Sequence, residues 1–101
     1  MTKKEIMKNV DCTKSRLVGN NTVEYFRSDG TKVIRLHRTD IVTFNNDGSI
    51  MLNSGGWKTV TTKSRMNDHL PNGWYLYQRD YAWYLSNQDE VYDYYDGIVI
   101  K

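Results

Sequence analysis

Asn46-Asp47-Gly48 stands between residues 40–45 and residues 49–53, two short runs rich in β-branched, aromatic and other apolar side chains. Asn and Asp tolerate, and Gly favours, the backbone angles of a tight reversal, so this tripeptide binds its flanks into an antiparallel hairpin. The same punctuation recurs. Gly19-Asn20-Asn21 follows Leu17 and Val18, and Ser28-Asp29-Gly30-Thr31 separates residues 22–27 from residues 32–37. Further along, Arg79-Asp80-Tyr81 separates residues 74–78 from residues 82–85. A chain cut this often into short extended pieces is built from hairpins. Trp-Tyr-Leu occurs at 74 and again at 83, which reads as two strands solving one packing problem rather than as a repeat architecture. Gly97 precedes a last apolar strand, Ile98-Val99-Ile100, placed to close the sheet.

Helical signals are few. Thr2 and Glu5 have the spacing of a capping box, and Ile6, Met7 and Val10 give a brief helix one apolar side. The principal helix is expected over residues 62–70, with a threonine as N-cap, Met66 and Leu70 on one face, and Pro71-Asn72-Gly73 as the stop. The expected fold is α+β. An antiparallel, strongly twisted sheet of about six or seven strands, open or curled into a partial barrel, packs against that helix. Its core candidates are Val23, Tyr25, Ile34, Leu36, Val42, Phe44, Met66, Leu70, Trp74, Leu76, Trp83 and Leu85. In the strand over residues 32–37, alternation puts Ile34 and Leu36 on one face and Val33, Arg35 and His37 on the other, with Arg35 and His37 pointing together to the outside.

The 101 residues are expected to form one domain, with residues 1–15 as a short helix or flexible arm. Apolar residues make up 39% and aromatics 13%, enough for a packed core and against disorder. No stretch approaches the roughly 20 apolar residues of a membrane span, and the charged start lacks the apolar block of a secretion signal. Cys12 is the only cysteine and stands with only two histidines, His37 and His69. No internal disulfide, metal site or cofactor is therefore expected, and a reducing compartment fits best.

The net charge of +2 is small, but the charge is unevenly laid out. Residues 1–16 carry Lys3, Lys4, Lys8, Lys14 and Arg16 against Glu5 and Asp11, and residues 27–66 carry seven basic side chains against Asp29, Asp40 and Asp47. From Arg79 onward the balance reverses, with Asp80, Asp89, Glu90, Asp93 and Asp96 against Arg79 and Lys101.

Two segments flank the best hairpin: Leu36-His37-Arg38-Thr39-Asp40-Ile41-Val42-Thr43-Phe44, and residues 55–67, which begin Gly55-Gly56-Trp57-Lys58-Thr59 and end Lys63-Ser64-Arg65-Met66-Asn67. Over this middle third the chain resembles small phage-encoded proteins of uncharacterised function with an LHxTDIVT strand and a GGWxTxTTKxRMN segment. The resemblance implies a viral origin and the bacterial cytoplasm as the place of action. It implies no active site.

The residues themselves offer two binding readings. Arg35, His37, Arg38, Lys58, Lys63 and Arg65 around Trp57, with Thr59, Thr61, Thr62 and Asn67 as hydrogen-bonding groups, suit nucleic acid: cations neutralise phosphates and an exposed indole stacks on an unpaired base. The plainer alternative leaves the charges as a solvated face and Trp57 in the core. The acidic, tyrosine-rich stretch Asp89, Glu90, Tyr92, Asp93, Tyr94, Tyr95 and Asp96 suits a basic protein surface, and so a host defence protein inhibited in the manner of an anti-CRISPR. Its plainer alternative is a solubilising acidic loop. Catalysis has only His37 and Asp40 as an acid–base pair. The His-Arg-Thr-Asp at 37–40 spells part of a kinase catalytic loop, but the glycine-rich loop and the length of a kinase are missing. A non-catalytic protein that binds nucleic acid or a host protein is the expectation.

Overall fold

A computed structural model describes residues 1–101. The turns fall where the Gly and Asx residues place them, and the elements run α1 (Lys3–Ile6), β1 (Lys14–Gly19), β2 (Thr22–Phe26), β3 (Lys32–Leu36), β4 (Thr39–Phe44), β5 (Ile50–Leu52), α2 (Val60–His69), β6 (Tyr75–Arg79), β7 (Ala82–Ser86), β8 (Val91–Asp93) and β9 (Ile98–Ile100). The capping box forms: Glu5 N–H donates to Thr2 Oγ1 at 3.2 Å and Thr2 N–H donates to the Glu5 carboxylate at 3.0 Å. α2 starts two residues before the expected position because Thr59 is its N-cap, with Thr59 Oγ1 accepting from Thr62 N–H at 3.1 Å. It stops at Leu70, since the residue before a proline is driven into extended backbone.

Every strand pair is antiparallel, but there are two sheets rather than one. The larger has six strands in the order β1-β2-β3-β4-β5-β9, and the smaller has the order β6-β7-β8. The larger sheet is open, not a barrel: β9 does not close it but adds an edge beside β5, with Ile98 opposite Leu52 and Ile100 opposite Ile50. α2 and its proline stop account for the split, because they carry the chain away from the first sheet before the second set of strands begins.

Register assigns each face its role. Ile34, Val42, Leu52 and Ile98 lie side by side across β3, β4, β5 and β9. They meet Met66 of α2 and Leu76, Trp83 and Leu85 of the small sheet in one buried cluster. On the other face Val23, Tyr25 and Val33 pack against Ile6 of α1. A fold covered on both faces buries strands that a one-sided reading leaves half exposed, which is why Val33, expected outward, is fully buried. Phe44, Leu70 and Trp74, expected as core, flank the main cluster and are only partly buried. Phe44 lies beneath Lys32, with Nζ 4.8 Å from the ring, and Trp74 stacks on Tyr92 with ring centroids 6.0 Å apart. Expectation also missed Ile6, Ile41, Leu52, Tyr94, Ile98 and Ile100 as core.

One irregularity sets the chemistry of the α1 face. Ile34 pairs with Val42 but Arg35 pairs with Asp40, so Ile41 is an extra residue in β4. Because side chains alternate, that bulge turns Asp40 from the core face to the face of Val33 and Arg35. There its carboxylate accepts from the Tyr25 hydroxyl at 3.0 Å, from Arg27 Nη2 at 3.1 Å and from Arg35 Nη1 at 2.9 Å. Arg35 Nε also donates to the Ile6 carbonyl at 3.0 Å and ties down the end of α1.

Met66 is fully enclosed between the sheets while Leu70 is only partly so, which separates two truncations on one helix. Met66→Ala is expected to cost about 2–5 kcal/mol of unfolding free energy, and Leu70→Ala clearly less, measured by urea titration followed at tryptophan fluorescence.

Candidate ligand-binding cleft

The loop between β5 and α2 carries Trp57, and its backbone is tied at nearly every residue. Gly55 N–H donates to Asn53 Oδ1 at 2.8 Å, Gly56 N–H to Ser54 Oγ at 3.2 Å, and Trp57 N–H to the Ser54 carbonyl at 3.0 Å. Ser54 is anchored in turn, its N–H and hydroxyl donating to Asp96 Oδ1 at 2.9 and 2.8 Å. Gly55 has φ of +62°, and a Cβ there would lie 2.8 Å from Thr39 Cγ2, so only glycine lets this loop press against the start of β4. The side chain that all this holds in place is nevertheless 70% exposed. Trp57 is not core.

Thr39 follows the β3–β4 turn, whose first central residue, His37, takes φ of +53°. The packing of Gly55 on Thr39 therefore sets Trp57 across from His37 and Arg38. Between them lies a cleft of about 460 Å³ floored by Leu36 and Ile41. A second hollow of about 450 Å³ adjoins it, sharing Leu36, His37, Trp57 and Thr62 and reaching Thr61 and Arg65 at the start of α2.

The residues expected to bind nucleic acid do not all converge. His37, Arg38 and Trp57 line the cleft, and Lys58 is exposed beside it with Nζ 5.7 Å from the Tyr94 ring. Arg65 reaches the adjoining hollow, but its Nε donates to Thr22 Oγ1 at 3.1 Å and its guanidinium pairs with Asp68 at 3.7 Å. Lys63 lies half-buried on α2, outside the lining of both hollows. Arg35 is no outward-facing cation: its side chain is 14% exposed and committed to Asp40 and Ile6. Asn67 is taken up as well, its Nδ2 donating to the Leu76 carbonyl at 2.8 Å and its Oδ1 accepting from Leu76 N–H at 2.8 Å. Thr59 and Thr62 hydroxyls bond each other at 3.0 Å in the helix cap, which leaves Thr61 exposed on the hollow's edge. The acid–base pair is not assembled, because Asp40 faces Tyr25, Arg27 and Arg35 while His37 sits in the exposed turn.

The acidic stretch divides too. Asp89, Glu90, Tyr92, Asp93 and Tyr95 are exposed. Tyr94 is buried against Trp83, with ring centroids 5.3 Å apart, and its hydroxyl donates to Asp96 at 2.7 Å. Burial, together with that acidic partner, pushes the Tyr94 hydroxyl far above the usual tyrosine range. For Asp96, partial burial pushes the carboxyl up, but hydrogen bonds from Ser54 and Tyr94 outweigh it and hold the carboxyl below its usual value. The sequence signal for this loop is the glycine pair Gly55-Gly56 directly before Trp57, the composition of a turn that presents a side chain.

The folded chain binds fewer protons at Asp96 than the unfolded chain does, so this carboxylate adds stability above the ordinary value of about 4, and the contribution is lost as the pH falls through the lower folded value. Asp96→Asn is expected to lower the melting temperature at about pH 6, and the gap from the parent chain is expected to shrink toward about pH 2.5. Thermal scans across that range read the difference.

No curated protein and no solved structure matches the chain. The family model described as Kyanoviridae Gp96 protein matches residues 1–101, the whole chain rather than the middle third that carried the resemblance. No helix is long and apolar enough to cross a membrane. With every residue inside the match, the chain belongs to the Kyanoviridae Gp96 family of phage proteins.

Proposed function

We propose that this phage protein is a non-catalytic accessory factor that binds single-stranded nucleic acid across the Trp57 cleft, in the cytoplasm of the infected cell. The observation that carries the reading is the 70% exposed indole on a loop fixed by hydrogen bonds to Asn53, Ser54 and, through Ser54, Asp96. Leaving so large an apolar ring in water has a cost, and fixing its loop in advance removes the ordering cost that binding would otherwise carry. An indole held this way is suited to stack on an unpaired base. Cations on both sides fit the same ligand: Arg38, beside His37, on one wall and Lys58 beyond the other. Asp40 is engaged by Arg27 and Arg35 and Asp68 by Arg65, while Glu5 lies within Coulombic reach of Arg38. The lining suits a base on its apolar floor and phosphates along its rim.

Fluorescence anisotropy with labelled single-stranded DNA and RNA, at low and at physiological salt, tests this. Binding is expected to weaken steeply with salt, with a log–log slope of about −0.7 per phosphate neutralised. Trp57→Ala is expected to remove about 1–3 kcal/mol of binding without changing the melting temperature. Arg38→Ala and Lys58→Ala should each flatten the slope by about one contact, equally across sequences. The absence of binding to either strand at low salt overturns the proposal.

A further inference from the structure

A strand at the edge of a sheet presents unpaired N–H and C=O groups, and folded chains usually blunt such edges with charge, bulges or cover. Three of the four edges here are treated in that way, β8 through the charge of Asp93. β1 carries Lys14 and Arg16 and is irregular between Leu17 and Gly19. β6 is covered at Leu76, where the Asn67 amide takes both backbone groups. β8 and the remaining edge, β9, border one open groove of about 810 Å³. β9 is Ile98-Val99-Ile100, without charge or bulge; the Ile98 N–H donates to the Tyr95 carbonyl at 3.1 Å, and the middle side chain is 44% exposed. The groove is apolar inside, walled by Trp74, Tyr92 and Tyr95, the last 61% exposed.

Charge indicates what the groove takes. Asp93 lines it, and Asp89 and Glu90 stand exposed in the turn leading to β8. Within the lining Lys101 offsets Asp93, and the acidic excess at the rim comes from Asp89 and Glu90, both within Coulombic reach of the Tyr92 hydroxyl. A two-fold pairing of this groove with itself would bring like acidic rims together, which disfavours a second copy. We infer that β9 and the acidic groove beside it accept, by strand addition, a short extended segment of another protein in which basic and apolar residues alternate. Backbone pairing along β9 gives the affinity, the aromatic walls receive alternate apolar side chains, and the carboxylates set the sign of the partner. Each edge is three residues long, so the segment it pairs with is equally short.

The probe is a labelled heptapeptide of alternating lysine and valine, compared with one carrying glutamate in place of lysine and with one N-methylated at alternate amides. The lysine–valine peptide is expected to bind saturably and at least tenfold more tightly than either comparison peptide. Val99→Lys and Asp93→Asn are each expected to weaken it several-fold at unchanged melting temperature. If Val99→Lys destabilises the fold, Tyr95→Ser, outside any strand, takes its place. Equal binding of the glutamate or N-methylated peptide overturns the inference, as does unchanged binding in folded variants. Sedimentation showing oligomers of the chain that Val99→Lys dissolves also overturns it, since the edge is then filled by another copy.

Discussion

Asp40 is the carboxylate on which the first half of the fold converges. One side chain receives the Tyr25 hydroxyl and the guanidinium groups of Arg27 and Arg35, and Arg35 passes the connection on to the carbonyl that ends α1. Three strands and a helix are thereby joined through a group about a quarter exposed at its side chain. Pairs in such partly wet surroundings add modest energy one by one. What the cluster supplies is geometry: three donors from three directions fit only one arrangement of β2, β3 and β4. The β3–β4 turn that presents His37 and Arg38 begins directly beyond this knot.

The second half is held differently. Met66, Leu76, Trp83 and Leu85 close over the large sheet by apolar burial, and Asn67 pins the helix to the small sheet as if it were one more strand. Between the two regimes runs the contact of Ser54 with Asp96, which links the loop of Trp57 to the segment joining β8 and β9. The basic cleft and the acidic groove are thus separate in chemistry and joined through one serine and one aspartate. A loss of binding on altering Asp96 would report loop anchorage, whichever partner is being followed.

Local features of the fold were legible because they rest on local chemistry. Hairpin turns need residues that tolerate positive φ, and the chain has them at 46–48; the helix stop needs a proline, and it is at 71. Separation into two sheets was not legible, because it depends on where α2 sends the chain, which no window of residues contains. The candidate site was read in part. His37, Arg38 and Trp57 do meet, brought together by the approach of Gly55 to Thr39. Arg35 and Asn67 were misread, since their side chains look like free polar groups in sequence and are spent on internal bonds in space. Charge counts cannot tell a cation facing solvent from one facing Asp40.

The additional residue in β4 has a consequence for how such a chain can vary over time. Between Leu36 and Val42 the identity of Arg38 is structurally free, for it is exposed, but the number of residues is not. At this length an even ladder would pair Ile41 with Arg35 and Asp40 with Leu36, turning the carboxylate into the apolar interior and stranding two arginines. Removing Ile41 would leave Asp40 opposite Arg35 but empty the place that the Ile41 side chain fills in the core. Point substitutions at Arg38 change what the surface offers, whereas a change of length at Ile41 is felt inside.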